Sequence, residues 1–170
     1  MGDFKKTNTI RGGKIEMERM KIHIRDLTQD LIKGVTVQMP RTVSAYKESY
    51  FEWTPSALTA KFNSTEISGG TLISWHHVPV FNEIETHIDK EMFYFISGTA
   101  IMLFIDVKQG QPDLKTAQIV RIQAGTQLII ETGKGHFVPI AETSDPLSVI
   151  VVSPKMEAPR ISLPVILEGI

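Results

Sequence analysis

The sequence predicts an all-β fold, and two observations support this. From Gly34 onward, short runs rich in Val, Ile, Thr and aromatic residues are broken by Pro, Gly, Asn or Asp, which is typical of successive strands. Several runs, notably 99–105 and 147–152, are apolar at both odd-numbered and even-numbered positions. Since alternate residues of a strand point to opposite faces, both faces of their sheets must be covered. A double-layered sandwich or closed barrel is therefore favoured over a one-sided open sheet.

One short helix is predicted before the strands begin. Residues 26–34 start with capping residues, place Leu27 and Leu31 on one face, and end with Lys33 and Gly34. The candidate strands that follow are 34–39, 57–62, 71–78, 81–88, 91–97, 99–107, 116–122, 126–130 and 147–153.

The chain length of 170 residues predicts one domain with extensions at its ends. Residues 1–20 show no clean period and contain Gly12-Gly13, so we expect an N-terminal tail there and a single domain over 21–170. From about residue 154, regularly spaced prolines exclude a helix and predict an extended C-terminal strap. Sheet edges and this strap favour a homodimer.

Charge and composition narrow the class of partner. The 18 Lys and Arg residues are dispersed and nearly balance 19 Asp and Glu, so no field attracts nucleic acid or a membrane surface. A small molecule is the expected partner. The chain has no cysteine, so a metal ion must be held by His and carboxylate. With no secretory signal or long apolar span in the sequence, we expect a cytoplasmic protein.

The segment 85–98 carries the residues best suited to chemistry. On a strand, side chains two residues apart share a face, so Glu85 and His87 can converge on one ion. Glu91 leads a strand in which Phe93 and Phe95 share its face, and a buried carboxylate is costly unless it is paired or coordinated. The alternative for each residue is structural, as a hydrogen-bonded core histidine or a salt-bridged carboxylate.

The spacing of these residues resembles the two sequence motifs of the cupin superfamily. The matching positions are His87, Glu91, Gly98, Gly125, Gly133 and His136. Glu85 stands where many cupins have a first His. The resemblance implies a cupin double-stranded β-helix, which is a jelly-roll barrel, following the one short N-terminal helix. It implies one divalent transition metal (Ni, Mn, Zn or Fe) bound by Glu85, His87, Glu91 and His136.

Over roughly 21–153 the chain is similar to ureidoglycolate lyases, also called ureidoglycolate hydrolases. The similarity lies in the run 84–87, the loop 110–114, and the run 133–136 followed by Pro139. That family tends to have an aromatic residue where this chain has Gly135. The resemblance implies a metal-dependent C–N lyase or hydrolase of allantoin degradation, which splits ureidoglycolate into glyoxylate and urea.

Roles follow from that reaction. Glu91 is the candidate base if it is not a tight metal ligand, and Lys90 beside it, which could offer countercharge to a small carboxylate, is the second catalytic candidate. Lys134 offers countercharge to a small carboxylate substrate, and His77 and Tyr94 are further candidates for substrate binding.

Two other functions fit the same sequence. A cupin sugar isomerase or epimerase would use a similar set of His and Glu residues. A non-catalytic cupin would hold a metabolite in the barrel, and one fold hosts many activities.

Overall fold

Strands make up the regular structure of this computed structural model, which describes residues 10–11, 14–15 and 17–170. The strands are β1 Ile10–Arg11, β2 Lys14–Ile15, β3 Arg19–Ile22, β4 Arg25–Asp26, β5 Val35–Gln38, β6 Tyr46–Lys47, β7 Glu52–Trp53, β8 Ile67–Ser74, β9 Val80–Glu85, β10 Glu91–Ser97, β11 Thr99–Lys108, β12 Gln111–Gln123, β13 Gln127–Ile130, β14 Lys134–His136, β15 Ile140–Ala141, β16 Leu147–Pro154 and β17 Arg160–Gly169. The all-β prediction is confirmed. Most of the predicted tail, 1–20, lies outside the described residues.

Two large sheets carry most of these strands. The five-stranded sheet has the order β5-β13-β10-β16-β8. The eight-stranded sheet runs β3-β17-β9-β14-β11-β12-β4, and β15 also pairs with β11. Neighbouring strands are mostly distant in sequence, so the chain crosses repeatedly between the sheets, as a jelly roll requires. Among the described residues, no helix is long and apolar enough to cross a membrane.

Strand β11 is buried on both faces and separates two apolar cores. Its residues Ala100, Met102 and Phe104 join a core shared by the two large sheets. Its alternate residues Ile101, Leu103 and Ile105 join a second core whose fully buried members all come from the eight-stranded sheet. This arrangement explains why both odd-numbered and even-numbered residues of β11 are apolar, because each face of the strand packs against its own core.

The predicted helix at 26–34 is wrong. Asp26 belongs to β4, which pairs in parallel with β12, and the Leu27 amide donates to the Arg121 carbonyl at 2.9 Å. Turns follow, with Asp30 and Gly34 at positive φ of 64° and 80°. Leu27 and Ile32 are nonetheless buried. The apolar residues of this segment are therefore buried, as a helix would also have buried them. Pairing with β12, however, uses the backbone hydrogen-bonding groups that a helix needs.

The predicted strand 57–62 is also absent, and the strand predicted over 71–78 instead forms β8, Ile67–Ser74. In the first segment the amide of Ala57 donates to the side-chain oxygen of Gln38 rather than to a neighbouring strand. The segment thus has apolar residues but no ladder partner, and β-propensity alone does not form a strand.

Gly135 allows β14 to pack closely between β9 and β11. A Cβ atom at this position would lie 2.8 Å from side-chain atoms of both Ile84 and Ile105, and 3.0 Å from the Ile105 carbonyl oxygen. Real Cβ contacts are not this short, so only glycine fits without movement of the strands. The residue that precedes His136 is therefore fixed by the second core.

We expect Gly135→Ala to lower the free energy of unfolding by about 1–3 kcal/mol, because the added methyl overpacks a closed core. Urea denaturation followed by circular dichroism measures this change. Gly70→Ala is the matched control, since a Cβ at Gly70 would meet nothing within 4 Å. Equal stability of the two variants would show that β14 can shift to accommodate the methyl group.

Candidate metal centre

The four predicted metal ligands lie where the chain passes from one large sheet to the other. Glu85 is the last residue of β9, His87 lies in the connection, and Glu91 is the first residue of β10. His136 ends β14, whose register places it opposite Glu85. Residues of the two large sheets and of their connection therefore form one cluster.

Short distances join these four side chains. One carboxylate oxygen of Glu85 and one ring nitrogen each of His87 and His136 all lie within 4.8 Å of one another. Glu91 Oε2 lies 3.0 Å from His136 Nε2 and 3.2 Å from His87 Nε2. His136 Nε2 is 3.9 Å from Glu85 Oε1. These separations are small enough for one ion to be held among the four groups.

The hydrogen bonds of His136 define which of its nitrogens faces the cluster. Its Nδ1 lies 3.1 Å from the Lys134 carbonyl oxygen, which can only accept, so Nδ1 carries a proton. In a neutral ring, Nε2 then has a lone pair directed at the Glu91 carboxylate. Two acceptors 3.0 Å apart need a cation between or beside them, either a proton or a metal ion. A carbonyl that orients the ring through Nδ1 is the usual support for a metal-bound histidine.

His87 gives the clearest sign that a ligand is expected. Only 7% of its side chain is exposed, and neither ring nitrogen has a hydrogen-bond partner in the described residues. The 3.2 Å separation from Glu91 does not have the geometry of a hydrogen bond. A buried polar group without a partner is costly, and a metal ion bound by one of the two nitrogens would remove that cost at this nitrogen.

The donor set also fits a divalent transition metal. It offers two imidazole nitrogens and two carboxylates, a combination that suits Mn, Fe, Ni or Zn. The Phe93 ring stands edge-on to His136, with ring centroids 6.1 Å apart, and closes one side of the cluster with an apolar surface. Glu85 is the most exposed of the four, with 16% of its side chain accessible, so solvent reaches the cluster from that side.

Lys90 is adjacent to Glu91 in sequence, but its ammonium lies elsewhere. Lys90 Nζ forms an ion pair with Glu131 at 2.9 Å. Neighbouring residues on an extended chain point to opposite sides, and Glu91 takes the side that faces the histidines. The structure therefore does not bring the Lys90 side chain into the cluster.

The side chains of the three residues predicted to bind substrate also make their contacts outside the cluster. Tyr94 is on the outer face of β10, opposite to Phe93, and lines a cavity of about 660 Å³. His77 is exposed, with Nδ1 2.7 Å from the carbonyl of Val78. Lys134 Nζ binds Asp106 at 2.7 Å and lines a second cavity of about 290 Å³. None of the four cluster residues lines either cavity.

Asp89 holds the connection that carries His87, a role that no sequence pattern indicates. Its Oδ2 accepts hydrogen bonds from the amides of Asn63 and Ser64, and its Oδ1 accepts from the amide of Lys90. The Gly133 amide donates to the His87 carbonyl at 3.0 Å. The partners of Asp89 on the 63–64 segment are 25 and 26 residues away in sequence, a distance at which no local pattern applies.

Burial raises the pKa of the Asp89 carboxyl, but the amides of Lys90, Asn63 and Ser64 and the charge of Lys90 lower it by more. The net pKa in the folded protein lies below the ordinary value of 3.8. The carboxylate therefore stabilises the fold fully above that value, and this contribution is lost as the pH falls through the lower folded-state pKa.

We expect Asp89→Asn to be less stable than the parent at pH 7. Between pH 7 and pH 3, we expect the variant to lose less stability than the parent loses. The amide side chain accepts fewer hydrogen bonds than the carboxylate and does not titrate. Urea midpoints at the two pH values test this, with the exposed Asp145→Asn as the control. If the urea midpoints of the parent and of Asp89→Asn fell equally between pH 7 and pH 3, the Asp89 carboxylate would not be the stabilising group.

Comparison with known proteins identifies the fold. No protein-family model matches the chain, and no curated protein matches it. RmlC from Streptococcus suis, solved in complex with dTDP-D-xylose, aligns with 81% of this chain and 71% of its own, at a TM-score of 0.51 and 10% identity. This likeness shows the fold alone, and the described chain has a cupin-type fold, as the motif spacing predicts.

Oxalate decarboxylase from Bacillus subtilis, a protein with Mn(II) centres, is also similar, at a TM-score of 0.42 and 21% identity over 58% of this chain. The same protein aligns equally in the structure determined at pH 4.6. This chain covers about a quarter of the length of oxalate decarboxylase, since the alignment spans 24% of that chain.

Proposed function

We propose that this protein binds one divalent transition metal through Glu85, His87, Glu91 and His136, and acts as a C–N lyase on a small hydroxy or ureido acid. The observation that carries the metal site is His87, a buried imidazole with two unpartnered nitrogens beside Glu85, Glu91 and His136. The choice of reaction rests on the resemblance of the sequence to ureidoglycolate lyases.

When bound, the metal would act as a Lewis acid toward the carboxylate and hydroxyl of the substrate. The residues of the chain supply binding and proton transfer. Glu85, on the exposed side of the cluster, faces the direction from which a small molecule approaches. Phe93 and the apolar core below it exclude water from one side of the cluster, which favours a compact substrate.

Glu91 is the proposed base. Its Oε2 lies 3.0 Å from Nε2 of His136 and 3.2 Å from Nε2 of His87, so the carboxylate lies beside both histidine rings, where it would meet a small molecule held in the cluster. For ureidoglycolate, Glu91 would take the hydroxyl proton as the C=O bond of glyoxylate forms and the C–N bond breaks. The proton then passes to the departing nitrogen, which gives urea and returns Glu91 to its carboxylate form.

A sugar isomerase or epimerase is the second candidate. RmlC, which shares the fold, was solved with the nucleotide sugar dTDP-D-xylose. A carboxylate beside two imidazoles is also suited to moving a proton on a sugar carbon. A panel of keto and aldo sugars, assayed beside ureidoglycolate, separates the two reactions.

Protein purified without chelators and without added metal should contain about one transition-metal ion per chain. We expect His87→Ala/His136→Ala to lose it while circular dichroism shows the parent β-sheet spectrum. His77→Ala, which removes an exposed histidine outside the cluster, should keep the metal. Absence of metal from the parent, together with no uptake on dialysis, would favour a metabolite-binding cupin.

Glu91→Gln should lower turnover of ureidoglycolate by roughly 100-fold or more, because the amide cannot accept the hydroxyl proton. Release of urea and glyoxylate measures the rate, and metal content is determined on the same samples. Glu157→Gln, at an exposed position, is the matched control. If the metal-loaded parent releases neither product, the lyase assignment is wrong even where the metal site is correct.

A further inference from the structure

Arg41 occupies a backbone conformation that glycine usually takes. Its φ is 61°, in the left-handed region, where a side chain costs free energy. Arg41 follows Pro40 in a turn after β5, and glycine or asparagine is the usual residue at positive φ in a turn. Pro40 packs on Gly125, where an added Cβ would lie 3.3 Å from the Pro40 Cβ. The turn is thus fixed against the sheet, and an unfavourable residue at such a position indicates a use for its side chain.

Arg41 lines the cavity of about 660 Å³ that Tyr94 also lines. Cavities of a few hundred cubic ångströms are the usual size of small-molecule sites. Two further charged residues, Lys47 and Glu52, line the cavity and form an ion pair at 2.8 Å across the β6–β7 hairpin. Within the described residues, Arg41 has no carboxylate partner. Arg41 therefore leaves the lining of the cavity with one uncompensated positive charge.

A row of polar side chains forms one wall of this cavity. Gln38, Gln127 and Tyr94 lie opposite one another on β5, β13 and β10, and all three line the cavity. Gln38 is only 7% exposed, and its Oε1 accepts a hydrogen bond from the Ala57 amide, which fixes the orientation of the carboxamide. In the described part of the chain, its Nε2 group donates to no protein atom. Such a donor at a cavity wall is costly unless a ligand or water accepts its hydrogen bonds.

We propose that this cavity binds a small hydroxylated organic anion, whose charged group is held by Arg41. A guanidinium can donate two parallel hydrogen bonds to a carboxylate or a phosphate, and it stays charged across the physiological pH range. The carboxamides of Gln38 and Gln127 can each donate and accept, as can the Tyr94 hydroxyl. These three groups therefore match hydroxyl groups on the carbon skeleton of the same ligand.

The strained turn provides a sharp test, because anion binding and stability should not fall together. Arg41→Gly removes the guanidinium and also relieves the positive φ. We expect it to bind gluconate or glucose 6-phosphate at least about 10-fold more weakly in isothermal titration calorimetry. Its urea midpoint should equal or exceed that of the parent. Gln109→Gly is the matched control, since Gln109 is an exposed residue with φ of 52° that does not line the cavity, so this variant should keep the affinity.

The choice of probes separates the two kinds of charged group. Gluconate carries a carboxylate, glucose 6-phosphate carries a phosphate, and glucose carries hydroxyl groups without either charge. We expect saturable binding of one or both anions and much weaker binding of glucose, and the tighter anion identifies the group that Arg41 holds. Arg41→Lys keeps the positive charge but lacks the planar guanidinium, so it should bind the anion with intermediate affinity.

Three results would overturn the proposal. The first is the lack of saturable binding of either anion up to about 10 mM. The second is binding of glucose as tight as that of the anions, which would leave the charge of Arg41 without a role. The third is unchanged affinity in Arg41→Gly, which would show that the anions bind elsewhere in the protein, such as at the metal cluster.

This site is independent of the proposed metal centre. None of the four cluster residues lines the cavity. Titration of the His87→Ala/His136→Ala variant therefore tests anion binding apart from metal content. We expect this variant to lose the metal and keep the affinity for the anion. Loss of both together would assign anion binding to the cluster and contradict the Arg41 site.

Discussion

The burial of β11 on both faces is the constraint on which the rest of the structure depends. A strand with apolar side chains on both faces cannot lie at the surface, so sheet must cover it on each side. One face meets the five-stranded sheet, and the other meets the curled remainder of its own sheet. Strand β14 pairs with β11, with His136 opposite Phe104, so the position of His136 follows directly from this packing.

Charge balance is the second constraint. Glu85 and Glu91 bring two carboxylates into a region where at most 16% of any side chain is exposed. Two neutral imidazoles do not compensate two negative charges, and burying uncompensated charge is costly. A divalent cation would balance the pair of carboxylates and also give one ring nitrogen of His87 a partner.

Much of the site could be predicted from the sequence because its residues are close together in the chain. Glu85, His87 and Glu91 lie within seven positions, and the period of a strand connects the first two. The sequence-based predictions failed where contacts between residues distant in the chain determine the local structure. The helix signal at Leu27 and Leu31 was overridden by pairing of β4 with β12, more than 90 residues away, as the Arg25–Gln118 hydrogen bond shows. Asp89 and Gly135 were missed for the same reason.

The placement of His87 connects the metal site to the stability of the fold. His87 lies in a connection rather than in a strand, so it is held by the Gly133 amide and by the contacts of Asp89 with residues 63 and 64. Those contacts would pre-orient His87 for a metal ion. A metal ion bound as proposed would need the folded arrangement of the four residues, so its binding free energy would add to that of folding.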